Sequence, residues 1–122
     1  MTNKELVLKF YDDVFNGWNL DNLEEYMRAD YKQHNPTVED GIEGFRKFAT
    51  GFFNIKPHME IKKIICEYDM VCVFFKCVVG INGTYNKVFD LYRIEDGKLA
   101  EHWDCIQHYE GGEETANGND VF

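Results

Sequence analysis

The second half of the chain is divided into four extended runs by short turn sequences. The runs cover residues 58–68, 70–81, 84–95 and 98–109. The turns between them contain Tyr68-Asp69, Asn82-Gly83 and Asp96-Gly97. Asn-Gly and Asp-Gly pairs are strong hairpin signals, because a two-residue type I′ turn needs positive φ at both central positions. Four runs joined by such turns predict an antiparallel meander.

Two helical patterns occupy the start of the chain. The first begins after Thr2, a favourable N-cap residue, and ends at Asn16-Gly17. Its apolar positions are Leu6, Val7, Phe10, Tyr11, Val14 and Phe15. The second begins at Asn19 or Asp21, carries acidic residues in its first turn, and ends near Asp30. Its apolar positions are Leu20, Leu23, Tyr26 and Met27.

An extended segment and a third helix follow. Residues 31–35 precede Pro36, which disfavours a helical conformation for the residue before it, so we expect a short strand or an extended segment there. The third helical pattern follows Asp40-Gly41 and ends before Pro57. Its apolar face contains Ile42, Phe45, Phe48, Ala49, Phe52 and Phe53. These aromatic rings would either wall a pocket or fill the core.

Three helices followed by an antiparallel meander predict the α+β class, with the helices packed on one face of the sheet. If the long strands curl, the helices and the concave face enclose a cone-shaped space. The 122 residues, 44% of them apolar, suit a single domain, which we place at residues 1–110. Residues 111–122 form an acidic, glycine-rich tail that we expect to be mobile or loosely docked.

Charge and composition exclude several classes of function. The net charge of −9 and the lack of a basic stripe argue against binding of nucleic acid or an anionic membrane. The sequence contains neither a signal-peptide pattern nor an apolar run long enough to span a membrane, so we expect a cytoplasmic protein. We interpret the cysteines as reduced packing residues. They are Cys66, Cys72, Cys77 and Cys105.

The last strand carries the residues best suited to chemistry. Alternate side chains of a strand share a face, so His102 and Asp104 lie on one side and Trp103 on the other. The preceding strand contributes Asp90 and Tyr92, which also share a face. Two carboxyl groups and an imidazole beneath an aromatic helix would have separated pKa values, which allows an acid and a base to coexist near neutral pH.

Two other interpretations of these residues stay open. The face that carries His102 and Asp104 could simply be the solvated side of the sheet. A metal site is a second alternative, for which the available ligands are His34, His102, His108 and Asp104. No nucleophile elbow, phosphate-binding loop or dinucleotide fingerprint is present in the sequence.

Three segments resemble the SnoaL-like polyketide cyclase family of the nuclear-transport-factor-2-like superfamily. They are residues 31–36, 40–44 and 90–104, and the most specific part is Glu-His-Trp-Asp at 101–104 after an Asp-Gly-Lys turn. The resemblance implies an α+β cone that commonly dimerises through the outer face of its sheet. It also implies that Asp104 matches an aspartate that acts as acid and base in a cofactor-free intramolecular aldol condensation. Polar motif positions of the family correspond to His34, Asn35, Asp90 and His102.

Our functional prediction combines the two lines of reasoning. Asp104 would remove a proton next to a carbonyl of a small apolar substrate, and His102 or Asn35 would donate a hydrogen bond to the enolate. The remaining predicted substrate-binding residues are His34, Asp90, Tyr92, Phe48 and Phe52. No cofactor and no metal are expected. The alternatives are a pocket that binds a ligand without converting it, and an interaction module that uses Trp103, Phe89 and Leu91 on the other sheet face.

Overall fold

A computed structural model describes residues 1–80 and 82–122. Its helices are α1 (Asn3–Phe10), α2 (Leu23–Tyr26) and α3 (Gly41–Phe52). Its strands are β1 (Met27–Gln33), β2 (His58–Glu67), β3 (Met70–Val78), β4 (Tyr85–Glu95) and β5 (Lys98–Tyr109). A π-helical segment, Tyr11–Phe15, continues α1, and a 3₁₀ turn, Phe53–Ile55, follows α3. The predicted α+β class is confirmed.

The five strands form one open, mixed sheet in the order β1-β5-β4-β3-β2. Only the edge pair, β1 with β5, is parallel among the described strand pairs; the other neighbours are antiparallel. Alternate residues of β3 are buried, which marks the face that the helices cover. Phe10 of α1 and Phe45 of α3 pack onto this face, with ring centroids 6.3 Å from Tyr92 and 6.5 Å from Tyr31.

The predicted meander is confirmed for β2 to β5. The β4–β5 hairpin turns at Asp96 and Gly97, whose φ angles are +53° and +71°. Both values are positive, as a type I′ turn requires. The run predicted as 70–81 ends as a strand at Val78, and its last predicted residue, Ile81, lies outside the described residues.

The second helix is much shorter than its sequence pattern predicts. The pattern extends to near Asp30, whereas α2 ends at Tyr26 and Met27 already begins β1. Met27 pairs with Leu99, and Lys32 pairs with Glu101, so contacts with β5 take the place of further helical turns. The prediction is wrong for residues 27–30, because parallel pairing with a strand about 70 residues away leaves no local signal.

Phe10 lies at the centre of an aromatic core. Its ring contacts four neighbours besides Tyr92, with centroid separations of 5.2 to 5.9 Å. These neighbours are Tyr11, Phe15, Tyr26 and Phe45. The side chains come from both N-terminal helical segments and from α3, so burial of these rings draws the helices together over the sheet. No helix among the described residues is long and apolar enough to cross a membrane.

The C-terminal tail returns to the outer face of the sheet. The ring centroid of Phe122 lies 5.7 Å from that of Phe74 and 5.8 Å from that of Tyr85. The Lys62 ammonium group lies 5.4 Å from the centroid of the Phe122 ring, within range of a cation–π contact. The tail therefore ends in a defined contact, while the mobility of its middle part and the domain boundary at residue 110 stay predictions.

Asp13 joins the π-helical segment to α2. Its carboxylate accepts hydrogen bonds from the Tyr26 hydroxyl at 2.7 Å and from the Asn19 amide at 2.9 Å. These hydrogen bonds outweigh desolvation and lower the pKa of Asp13. A carboxyl group with a lowered folded-state pKa stabilises the fold above its unfolded-state pKa, and this contribution is lost as the pH falls through the folded-state value.

We expect Asp13→Ala to lower the free energy of unfolding by about 1–2 kcal/mol at neutral pH, because the Tyr26 hydroxyl loses a charged acceptor. Urea unfolding at neutral and at acid pH measures the effect, and the loss should shrink on acidification. Asp12→Ala, at an exposed neighbouring position, is the matched control and should change stability little. A loss for Asp13→Ala that is the same at both pH values would contradict the assignment.

Candidate active site

A cavity of about 240 Å³ opens between α3, the segment after β1 and the buried face of the sheet. It contains most of the residues that the sequence predicted for a substrate site. These are Asn35, Phe48, Phe52, Asp90, Tyr92, His102 and Asp104. The cross-strand register explains their convergence, because Asp90 of β4 lies opposite Asp104 of β5 and Tyr92 lies opposite His102.

Asp90 and His102 form a buried pair at the base of the cavity. The Nε2 atom of His102 lies 2.9 Å from Oδ1 of Asp90, and both residues are less than 10% exposed. The other carboxylate oxygen of Asp90 accepts hydrogen bonds from the hydroxyls of Tyr11 and Tyr92. Asp90 lines the cavity, but both of its carboxylate oxygens already have hydrogen-bond partners within the protein.

Tyr11 reaches Asp90 from the first residue of the π-helical segment. Its hydroxyl also lies 2.9 Å from that of Tyr92. Burial and the charge of Asp90 raise the pKa of both tyrosines well above the ordinary value, so both hydroxyls stay protonated donors. π-Helical turns often occur at functional sites, and here the turn places a donor beneath the cavity.

The amide of Gln33 determines the protonation of His102. Its Oε1 atom accepts hydrogen bonds from the backbone N–H groups of His34 and Asn35, so the oxygen must face them. The Nδ1 atom of His102 lies 2.6 Å from the same oxygen and must therefore carry a proton. With Nε2 facing a carboxylate, the ring is held as an imidazolium ion that donates to Gln33 and Asp90.

The charges around the ring agree with this assignment. Burial lowers the pKa of His102, but the charge of Asp90, the hydrogen bond to it and the charge of Asp104 together raise that pKa above its ordinary value. Opposite charges at short distance favour the charged form of a histidine. The raised pKa favours the imidazolium form of His102, which places a positive charge beside two carboxyl groups in the cavity.

Asp104 is the carboxylate that stays accessible from the cavity. It is half-buried, and its Oδ2 atom accepts a hydrogen bond of 2.9 Å from the side-chain amide of Asn35. The orientation of that amide is fixed, because its oxygen accepts from the backbone N–H and the hydroxyl of Thr37. No other described residue hydrogen-bonds the Asp104 carboxylate, so Oδ1 has no partner in the described part of the chain.

His34, a predicted site residue, lies on the opposite face of the sheet. Its ring stacks on Trp103 with a centroid distance of 4.7 Å, and its Nε2 atom lies 2.6 Å from the Glu101 carboxylate. Neither contact faces the cavity. Side-chain alternation in the extended segment explains this placement, since Gln33 and Asn35 point into the site while His34 points away.

Three contributors, Tyr31, Gln33 and Tyr11, were missed by the sequence analysis. Tyr31 lines the cavity and is 2% exposed, yet its hydroxyl has no hydrogen-bond partner among the described residues. Burial, with the charges of Asp90 and Asp104, raises the pKa of Tyr31 well above its ordinary value, so the group is a protonated donor. Gln33 was also overlooked. Tyr31, Gln33 and Asn35 are alternate residues of one extended segment and therefore share a face, which was the available signal for Tyr31 and Gln33. No local pattern pointed to Tyr11.

Aromatic side chains form the upper wall of the cavity. Phe48 and Phe52 of α3 are stacked at a centroid distance of 5.2 Å, and Phe48 is 37% exposed at the mouth. Phe45 packs against Phe48 at 6.3 Å and continues the wall into the core. The rings of α3 therefore contribute both to the core and to the wall of the cavity.

The side chains of Asp90, His102 and Asp104 are also of the types that bind metal ions. Asp90, His102 and Asp104 each offer one nitrogen or oxygen atom, and these atoms lie within 4.8 Å of one another. The two-histidine set considered from the sequence does not form in the described structure. His34 lies across the sheet, and His108 contacts Asn86 and Glu110 at its exposed end.

Comparison with known proteins places the chain in a family. Residues 5–111 match the family described as SnoaL-like polyketide cyclase, whereas no functionally curated protein matches the sequence. IdmH from Streptomyces antibioticus is 17% identical, with a TM-score of 0.75 over 87% of this chain and 92% of its own. A SnoaL-like polyketide cyclase from Agrobacterium tumefaciens is 16% identical, with a TM-score of 0.73 over 88% of this chain and 92% of its own.

A further solved structure shares the fold. An NTF2-like protein of unknown function from Cytophaga hutchinsonii is 19% identical, with a TM-score of 0.72 over 88% of this chain and 91% of its own. At these identities the structural likeness establishes the shared fold. The family match covers nearly the whole chain, and the predicted resemblance is confirmed. The protein therefore belongs to the SnoaL-like polyketide cyclase family.

Proposed function

We propose that the cavity catalyses cofactor-free proton abstraction next to a carbonyl group, leading to aldol condensation with cyclisation or to isomerisation of a small apolar substrate. The observation that carries the proposal is the position of Asp104. One of its oxygens is held by Asn35, and the other has no described protein partner in a cavity walled by phenylalanines. An aspartate in such a setting is suited to act as a general base.

The proton transfer proceeds in two steps. Asp104 takes a proton from the carbon next to the carbonyl, and the electron pair of the broken C–H bond forms an enolate. In a cyclisation, the enolate carbon then attacks a second carbonyl of the same substrate, and the protonated Asp104 returns its proton to the new alkoxide. No redox partner is needed, because proton and electron pair are conserved within the substrate and Asp104.

Hydrogen bonds to the enolate oxygen would come from Asn35 and Tyr31. Asn35 has a second amide hydrogen besides the one donated to Asp104, and the hydroxyl of Tyr31 has no described partner. His102 is a weaker candidate than the sequence suggested, because both of its N–H groups already face acceptors. Its positive charge supports the negative charge that develops nearby.

Hydrogen–deuterium exchange provides a test that does not need the natural substrate. The protein is incubated in D₂O with a panel of apolar 1,3-dicarbonyl compounds, and NMR measures the loss of the acidic C–H signal. We expect exchange above the buffer rate for at least one compound that fits the cavity. A ligand that binds and is recovered without exchange or conversion would instead support the alternative, a pocket that only binds.

We further propose a homodimer through the outer face of the sheet. Phe89 of β4 is 46% exposed and stacks on Phe74 at 4.4 Å, next to the half-buried Leu91 and Trp103. Exposed apolar groups of this kind are typical of protein interfaces. Of the four cysteines, Cys77 is buried, whereas Cys66 and Cys105 are exposed, so the interpretation as packing residues is wrong for these two. The cytoplasmic location stays a proposal.

Replacing Phe89 by glutamate should shift the protein from dimer to monomer, because a charge would have to be buried in the interface. Light scattering after size-exclusion chromatography measures the molar mass. Ile55→Glu, at an exposed position in the 3₁₀ turn, is the control and should leave the mass unchanged. A wild-type protein that is monomeric at high concentration would refute the proposed dimer.

A further inference from the structure

The cavity is elongated along β4. Its lining includes alternate residues of this strand, namely Tyr92, Asp90, Val88 and Asn86. A strand rises about 3.3 Å per residue, so these side chains cover roughly 20 Å of the sheet. The proposed base belongs to one end of this length, because Asp104 lies opposite Asp90. The other end, at Asn86, has no part in the proposed proton abstraction.

The stretch between the two ends is apolar. Val88 lies opposite Ile106 of β5 and opposite Phe75 of β3, and all three side chains line the cavity. The phenylalanine rings of α3 cover the same space from above. A ligand that extends from Asp104 towards Asn86 therefore crosses a region that offers it only apolar contacts.

Asn86 presents a hydrogen-bond donor at the far end of the cavity. Its Oδ1 atom lies 2.7 Å from Nδ1 of His108, its cross-strand partner. The Nε2 atom of His108 lies 3.3 Å from the Glu110 carboxylate, which fixes the ring on its other side. A proton on Nδ1 is donated to the Asn86 oxygen, and no described residue accepts a hydrogen bond from the Asn86 Nδ2 atom. The Nδ2 hydrogens are left for a ligand in the cavity.

The far end thus repeats the arrangement found beside the base. The Asn35 oxygen is held by Thr37, and its amide nitrogen donates to Asp104 with one hydrogen to spare. Four residues of β4 separate Asn86 from Asp90, which corresponds to about 13 Å along the strand. Hydrogen bonds of about 3 Å at each end leave roughly 7–9 Å between two acceptor groups of one ligand.

We propose that Asn86 is a specificity-determining residue that binds a second oxygen acceptor of the substrate, such as a ketone or hydroxyl oxygen, roughly 7–9 Å from the carbonyl beside Asp104. The substrate class is then an elongated apolar compound, a chain or fused rings, with an oxygen function at both ends. This inference rests on the proposed function for the choice of the reacting end. Binding of the far acceptor needs no turnover, so it is measured separately.

Two simple ketones test the subsite. NMR chemical-shift titration gives the dissociation constants of 2-decanone and of 2,9-decanedione, whose carbonyl carbons lie about 9 Å apart in an extended chain. The preference is the first constant divided by the second. We expect it to be about three- to tenfold larger in wild type than in Asn86→Leu, the effect of losing one hydrogen bond. Comparing the two proteins cancels the difference in hydrophobicity between the ketones.

The spacing is tested with a shorter pair, 2-hexanone and 2,5-hexanedione. The carbonyl carbons of this diketone are about 4 Å apart, too close to reach both ends of the cavity. Its preference over the monoketone should therefore be the same in wild type and in Asn86→Leu. A preference that depends on Asn86 in the short pair as well would overturn the proposed spacing.

Gln107→Leu is the matched control, because it removes an amide of β5 that alternation places on the outer face. It should keep the wild-type preference. His108→Leu, at an exposed position, frees the Asn86 oxygen and should lower the preference in the same direction as Asn86→Leu. Circular dichroism checks the folding of each variant.

Equal preferences in wild type and Asn86→Leu, or the same loss in Gln107→Leu, would overturn the subsite. The two proposals fail separately. An Asn86-dependent preference without dicarbonyl exchange would refute the proton abstraction alone, whereas exchange without that preference would refute the subsite alone.

Discussion

Asp104→Asn is expected to reduce the rate of dicarbonyl exchange by about 10²–10⁴-fold, the usual contribution of a general base. Asparagine keeps the size of the side chain and can still contact the Asn35 amide through its oxygen, but it cannot accept a proton from carbon. The measurement is the NMR exchange assay in D₂O with the best compound of the panel. Chemical-shift titration of the same compound shows whether the variant still binds it.

Asp96→Asn is the matched control for this experiment. Asp96 lies in the β4–β5 turn at positive φ, its side chain is 84% exposed, and asparagine is favoured in such turns. We expect wild-type exchange in this variant. A folded Asp104→Asn protein that binds the compound and exchanges it at the wild-type rate would eliminate Asp104 as the base.

Asp90→Ala should produce the largest loss of stability, about 3–5 kcal/mol in the free energy of unfolding, because it leaves a buried charge without its partner. The substitution removes the acceptor of His102 and of two tyrosine hydroxyls at once, at a position only 5% exposed. Urea denaturation at neutral pH measures the effect. Asp90→Asn keeps the volume and part of the hydrogen bonding, so its loss should be smaller.

Asp104→Asn is a useful comparison for stability as well. Asp104 lies directly opposite Asp90 in the sheet, but it is half-buried and hydrogen-bonds one described residue. We expect a change of about 1 kcal/mol or less. If Asp90→Ala cost no more than Asp104→Asn, the buried hydrogen-bond network would not be a major source of stability.

The meander and the pairing of site residues were readable from local patterns. Asp-Gly at 96–97 selects a tight hairpin, and a tight hairpin brings the two strands into a defined register. Side-chain alternation then places His102 and Asp104 on one face and Trp103 on the other. The structure confirms this division, because His102 and Asp104 line the cavity while Trp103 stacks with His34 on the outer face.

The two wrong predictions, for residues 27–30 and for His34, have the same physical cause. Met27 to Asp30 follow a helical pattern, yet they form a strand because the edge of β5 offers a parallel partner. His34 matched a family motif, yet its position in an extended segment sends its ring across the sheet. In both cases the deciding contact comes from a segment about 70 residues further along the chain.

Local sequence alone determined the α+β class, the hairpin turns and the shared face of His102 and Asp104, since periodicity and turn chemistry act between near neighbours. Tertiary structure decided which groups surround that face. Tyr11, Gln33 and Asn35 come from distant segments. Their hydrogen bonds make Asp90 a buried anchor, favour the protonated form of His102 and leave Asp104 as the accessible carboxylate. Protonation depends on burial and nearby charge, which exist only once the chain has folded.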